Sequence, residues 1–316
     1  MSNVETSPAE LTCRSEPGRA VEVLTPRDVP LGGPRAMQVR RTLPQRDRSL
    51  IGAWCFADHY GPEDARMDVA PHPHTGLQTV SWLFTGEIEH RDSLGVHAMV
   101  RPGELNLMTG GHGICHSEVS TDASTTLHGV QLWVALPDAH RDAPRDFQHF
   151  VPEPVELAGA TARVFLGSLA GATSPVPTFT PLLGAELVLE PGAKLALEVD
   201  PAFEHGVLVD AGAVELEGTP LAHAELGYAG IGANSLYLAN PGDETSRVIV
   251  LGGEPFAEEL VMWWNFVGRD HDEIARFREE WEAGSARFGR VDGYPGDRLP
   301  APKLPGGRLK PRRNPA

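Results

Sequence analysis

The chain has 316 residues and a mass of 34.1 kDa, about twice the ~150 residues of a typical domain, so two domains or one duplicated unit are expected. Its 27 Lys and Arg stand against 43 Asp and Glu, a net charge of −16; residues 285–316 hold eight basic residues against Asp292 and Asp297, so a tail of +6 follows a body of −22 that repels phosphate backbones and argues against direct nucleic-acid binding. No apolar run reaches the ~18 to 20 residues of a membrane span, the first thirty residues carry Glu5, Glu10, Arg14, Glu16 and Arg19 in place of a signal segment, and Cys13, Cys55 and Cys115 form no C-x-x-C pair, so a cytoplasmic protein with free thiols and no membrane partner is expected.

Residues 1–20 are polar and unpatterned and read as a flexible N-terminus. Beyond them, 34 glycines and 28 prolines spread along the chain set a turn about every ten residues, the punctuation of an all-β protein. Thr79 to Phe84, the turn Thr85-Gly86, and Glu87 to Asp92 read as a β-hairpin. His97 to Val100, Glu104 to Met108, Ile114 to Val119 and Gly129 to Ala135 follow as further strands, a density that suggests a barrel or sandwich. Val207 to Glu217 repeats the Trp82 to His90 pattern weakly, with Gly212 falling 126 residues after Gly86, which suggests an internal duplication with its crossover in 137–183. Near the end, Asp270 can cap a helix, with Glu273 three residues on and Ile274, Phe277 and Trp281 on one face. Residues 286–316, rich in Pro, Gly and Arg, read as a disordered basic tail.

Two short motifs carry the chemistry: Pro71-His72-Pro73-His74 and His116-Ser117-Glu118. In an extended chain residues i and i+2 share a face, so each motif sets two ligand-capable side chains side by side. Brought together, three imidazoles and one carboxylate suit a divalent first-row metal and leave coordination positions open. Cys115 points to the opposite face from its neighbour His116 and reads as a core thiol. His90 and His128 read as hydrogen-bonded structural residues, Asp58 and His59 as a pair supporting the site, and the tryptophans as core, one of them a candidate wall for a flat aromatic ligand.

The segments Pro71 to Gly76, Gly86 to Gly95, Arg101 to Gly103, Met108 to Ile114 and His116 to Glu118, flanked by Val39 to Pro44, Asp58 to Pro62, His128 to Trp133 and Gly252 to Pro255, resemble the pirin family of bicupins over about residues 36–284. The resemblance implies two cupin-type β-barrels packed together, with a short C-terminal helix: an N-terminal domain over 21–150 that holds one metal, and a C-terminal domain over 151–285 without ligands. The ligands it implies are His72, His74, His116 and Glu118, and the ion is usually iron, Fe(II); the same set also takes Mn, Ni, Cu or Zn. At the 126-residue offset His72 and His74 fall on Glu198 and Asp200, so the second copy is expected to bind no metal. Two departures from the family pattern stand near the first motif: Gln78 replaces the usual cupin Glu, and Thr75 replaces an arginine, which removes a positive charge beside the site.

The resemblance implies a quercetin 2,3-dioxygenase-like activity on a flavonol, with Glu118 both ligating the metal and serving as the catalytic base. The alternative it implies is a non-enzymatic, iron- and redox-responsive module that regulates a protein partner.

Overall fold

The computed structural model describes residues 21–31 and 37–314; the expected flexible N-terminus and Cys13 lie outside the described residues. In the first half, β1 (Glu22–Leu24), β2 (Arg27–Leu31), β3 (Met37–Leu43), β4 (Trp54–Asp64), β5 (Asp68–His74) and β6 (Leu77–Thr85) are followed by β7 (Ile88–Asp92), β8 (His97–Val100), β9 (Leu105–Thr109), β10 (Ile114–Ser120), β11 (Thr126–Ala135) and β12 (Asp146–Phe150). All of these but β1 form a seven-stranded sheet in the order β12-β9-β6-β11-β4-β3-β2 and a four-stranded sheet in the order β5-β10-β7-β8. The second half repeats this order. Leu226–Ala229, Glu204–Ala211, Ser246–Gly253, Leu182–Leu189, Ala160–Leu166 and Val155–Leu157 take the places of β9, β6, β11, β4, β3 and β2, and a separate four-stranded sheet answers to the first. The place of β12 is filled by β1, which pairs through Leu24 with Leu226.

The duplication is therefore visible strand for strand, but the expected hairpin is not one. Strand β6 pairs with β9 and β11, whereas β7 pairs with β8 and β10. Gly86, at φ +99°, is the corner where the chain leaves one sheet for the other, and Gly212 (φ +76°) sits at the same corner of the second half. Period-2 patterning identifies strands without identifying their partners, which is why the corner reads as a hairpin.

Each half is a sandwich with its own core. Val39, Tyr60 and Leu83 meet Val69, Ile88 and Val100 across the first, and Val164, Val207 and Val250 meet Leu197, Leu216 and Leu236 across the second. A further cluster joins the halves: Trp54, Trp82, Val130 and Leu132 from one seven-stranded sheet pack on Phe165, Leu208, Ile249 and Leu251 from the other. Covering both faces explains why β4 and β6 are buried almost throughout instead of at alternate residues. The indole N–H groups lost from water in this interface are satisfied, Trp54 by the carbonyls of Leu183 (3.0 Å) and Gly252 (3.2 Å) and Trp82 by the Glu186 carboxylate (2.7 Å).

The same interface buries a polar cluster. Asp210 Oδ1 lies 2.7 Å from His59 Nε2 and 2.5 Å from His128 Nε2, and Oδ2 accepts from Arg247 Nε at 2.6 Å. Burial pushes the Asp210 carboxyl up, but the hydrogen bonds from His128 and His59 and the charge of Arg247 outweigh it and hold the group well below the usual carboxylate range.

The helix α1 (His271–Glu282) begins at Asp270, whose side chain accepts from the Glu273 N–H, and buries Ile274, Phe277 and Trp281. It packs with Phe266 and Cys115 on the first half. The basic segment beyond it departs from the expected disorder: up to residue 314 it lies against the first half, with Phe288, Val291 and Ala301 buried, the Leu299 N–H bonded to the Pro71 carbonyl, and Asn314 bridging Ser49 and Leu50. Its anchors are spaced for an extended chain without ladder partners, so neither helical nor strand periodicity marks them. Among the described residues no helix is long and apolar enough to cross a membrane.

Candidate metal centre

Strands β5 and β10 are antiparallel neighbours, with His116 opposite His72 and Ile114 opposite His74. Beyond His116 the register slips, so that Glu118 faces Val69 and β5 carries one extra residue at Ala70–Pro71. Pro71 has no N–H to give to a ladder, and a bulge is where a strand tolerates it. The i, i+2 spacing turns His72, His74, His116 and Glu118 to one cavity, while Cys115 faces the cluster under α1.

The far sides of the imidazoles fix which nitrogen is bare. His72 Nδ1–H donates to the Ala70 carbonyl (2.9 Å) and His74 Nδ1–H to the Asn265 carbonyl (3.1 Å), leaving Nε2 of each as a lone pair. Beneath His116 runs a relay. The Asp92 carboxylate, itself held by the N–H groups of Leu94 (2.8 Å) and Val96 (3.1 Å), accepts from His90 Nε2–H at 3.2 Å, and His90 Nδ1 then accepts from His116 Nδ1–H at 3.4 Å. The three histidines offer ligand atoms within 4.8 Å of one another, and Glu118 joins His116 and His90 in a second such group. His74 Nε2 and His116 Nε2 are 3.0 Å apart; two bare lone pairs at that distance repel unless a proton or a cation lies between them.

Burial holds His72 down to about 4, and burial together with neighbouring imidazoles holds His74 and His116 well below the ordinary histidine value. They are neutral at physiological pH, the state a metal requires. A cation is therefore the better match to the facing pair. Glu118 is raised by burial, against the opposing influence of His90 and of the Ser81 hydroxyl. Ser81 Oγ lies 3.3 Å from Glu118 Oε1 and 3.1 Å from Gln131 Oε1; its single proton serves one of them at a time, so a protonated Glu118 fits as readily as an ionised one.

The cavity has a volume of about 370 Å³. A bulge at Cys55, where the β4–β11 register shifts, aims Phe56 into it and sets Asp58 on the same side, against Arg41, while Trp54, Ala57 and His59 face the other half. Asp58 and His59 therefore act apart: His59 belongs to the Asp210 cluster, and Asp58 takes the Arg41 guanidinium in a bidentate pair at 2.7 Å. Arg41 lies over the Phe56 ring at 4.2 Å, Phe56 stacks on Trp133 at 4.1 Å, and His74 meets Trp133 edge-on at 5.2 Å. Arg41 thus brings a positive charge to the lining of the cavity. Thr75 itself is buried against the strand Phe266–Gly268, and Gln78 is bonded to Thr109. Trp264, Asn265 and Leu299 close the cavity from far along the chain. These three carry no local motif, so reading the sequence alone does not find them, and Arg41, although it falls in the Val39 to Pro44 segment, has nothing in the sequence to assign it to the cavity.

In the second half, Ser235 stands opposite Glu198 as His116 does opposite His72. Glu198 and Asp200 are exposed, and Leu197, Leu216, Leu236 and Leu238 fill the interior between the sheets.

The family described as Pirin matches residues 36–134, and the Pirin C-terminal cupin domain matches residues 184–289. A Pseudomonas aeruginosa protein named "Putative quercetin 2,3-dioxygenase" is 44% identical over 96% of this chain and 98% of its own length, and a Caulobacter vibrioides "Pirin-like protein" is 36% identical over 84% and 94%. The crystal structure of a quercetin 2,3-dioxygenase from Acinetobacter baumannii superposes with a TM-score of 0.86 at 38% identity, covering 92% of this chain and 97% of that one. With both domains matched in order, and with relatives aligned along nearly their whole length, the chain belongs to the pirin family.

Proposed function

We propose that the cavity is a mononuclear centre of dioxygenase type, with His72, His74, His116 and Glu118 as ligands, iron(II) as the ion and a flavonol as substrate. The observation that carries this reading is the facing pair of bare Nε2 atoms, His74 and His116, 3.0 Å apart in a cavity lined by the aromatic side chains Phe56 and Trp133. A divalent ion bound there would supply Lewis acidity to a coordinated hydroxyl and open positions for dioxygen. The chain's own residues do the rest. Phe56 and Trp133, stacked on each other, line the cavity with apolar ring surface against which a planar ring system packs. Glu118, raised by burial, accepts the proton of the substrate hydroxyl and holds it against Ser81. Trp264 and Leu299 limit access of bulk water. The names of the relatives support the choice of flavonol.

The test is anaerobic loading with Fe(II), addition of quercetin and admission of air, with flavonol absorbance and oxygen uptake followed together. Equimolar consumption of both is expected. Protein that carries one ion per chain and leaves both untouched ends the dioxygenase reading and leaves the metal centre standing.

A further inference from the structure

We infer that Arg41 reads the end of the substrate remote from the metal, and that this site selects planar aromatics bearing an anionic oxygen group at that end. The inference rests on the proposed centre being the substrate site. Arg41 is the only cationic side chain among the described residues that line the cavity. A guanidinium has five N–H donors, and Asp58, which is 1% exposed, engages only Nε and one proton of Nη2. The bidentate pair and the Phe56 ring beneath fix the plane of the fork, so the three remaining donors are held in place on a residue that lines the cavity. The ring contacts from His74 through Trp133 and Phe56 to Arg41 form one continuous wall. A planar ligand that chelates at the histidines and extends along this wall brings its far edge to Arg41. If that edge is a bare C–H, it strips water from the donors and returns nothing; if it carries an oxyanion, it replaces those hydrogen bonds. Asp58 already balances the charge of Arg41, so the discrimination comes mainly from directed hydrogen bonds, with Coulomb attraction secondary.

The experiment uses the full-length, metal-loaded protein under anaerobic conditions, titrated with 2,3-dihydroxynaphthalene and with its 6-sulfonate and followed by tryptophan fluorescence. The wild type is expected to favour the sulfonate on the order of tenfold, the size of one to two charge-assisted hydrogen bonds after desolvation. Arg41→Gln is expected to bind both probes equally, and Arg41→Lys to keep part of the preference. Arg40→Gln, which removes the same charge from the neighbouring residue whose guanidinium bonds the Gly61 carbonyl, is expected to keep all of it. The double variant Arg41→Met/Asp58→Asn avoids an unpaired buried carboxylate and is expected to behave as Arg41→Gln. Equal binding of the two probes by the wild type, or a preference that survives in both Arg41→Gln and the double variant, overturns the assignment to Arg41 alone. Binding of neither probe to metal-loaded wild type overturns the flavonol reading, and this inference with it.

Discussion

His90 stands between Asp92 and His116, with one ring nitrogen 3.2 Å from the carboxylate and the other 3.4 Å from the His116 ring. That order of contacts assigns the proton on each ring in turn and leaves His116 with its bare nitrogen in the cavity. Replacing His90 by Phe keeps the volume and removes the acceptor, so His116 loses the partner that holds its tautomer. We expect metal affinity to fall by about 10–100-fold, the usual effect of losing such a support, with the fold intact by circular dichroism. Competition with a chromophoric chelator measures it.

Direct removal of ligands has a different signature. His74→Ala and Glu118→Ala should each abolish near-stoichiometric metal in elemental analysis of purified protein. Glu118→Gln preserves shape and hydrogen bonding but cannot take a proton, so it should retain part of the metal while losing turnover by at least about 100-fold. Unchanged metal in both alanine variants would refute the ligand assignment.

The metal-free protein should lose stability in acid from an unusually high pH. His59, His72, His74 and His116 are all held below 6.5 by burial, so each stays neutral when folded and protonates on unfolding. Their contribution is complete above about pH 6.5 and declines as pH falls toward 4, where His72 begins to protonate in the folded state as well. Asp210, held below its ordinary value, stays ionised across this window and adds nothing to the slope. Denaturant midpoints between pH 7.5 and 5 should show the decline, and His59→Gln should make it shallower.

The Asp210 cluster couples the two halves, and its single carboxylate serves three donors. Asp210→Asn keeps the size but loses the charge that compensates Arg247 and replaces an acceptor with a donor. We expect a loss of about 3 kcal/mol, typical of breaking one side of a buried ionic network, read as a lower denaturation midpoint.

The terminal segment gives a further test. Phe288 is buried against Phe266 and Trp281, and Phe288→Ala should cost about 3–5 kcal/mol. Because Leu299 is held to Pro71 by the same segment, the variant should also release bound metal faster to a chelator, while His74 and His116 remain in place.

The ligand pairs are legible because strand geometry alone brings residues two apart to one face, and the matching of strands across the halves is legible at Gly86 and Gly212 because a corner in the left-handed region favours glycine. Other features depend on pairings that local sequence does not encode. The side on which Phe56 and Asp58 lie is set by a bulge at Cys55, and a one-residue shift inverts every expectation about that strand. Trp264, Asn265 and Leu299 reach the cavity only through tertiary packing. The burial of Phe288 is hidden by a composition that otherwise marks disorder.

Strand β1 completes the second half's large sheet, while the chain from Leu260 to Asn314 walls the first half's cavity. The two ends are therefore exchanged, each tucked into the half that the other end begins or finishes. The molecule has no linker at which it could be cut into two working pieces. A fragment ending near residue 150 would have an open, unwalled cavity, and its complement would present a bare sheet edge where β1 belongs. The second half is thus inseparable from the cavity of the first: the chain leaves it to finish that cavity's wall.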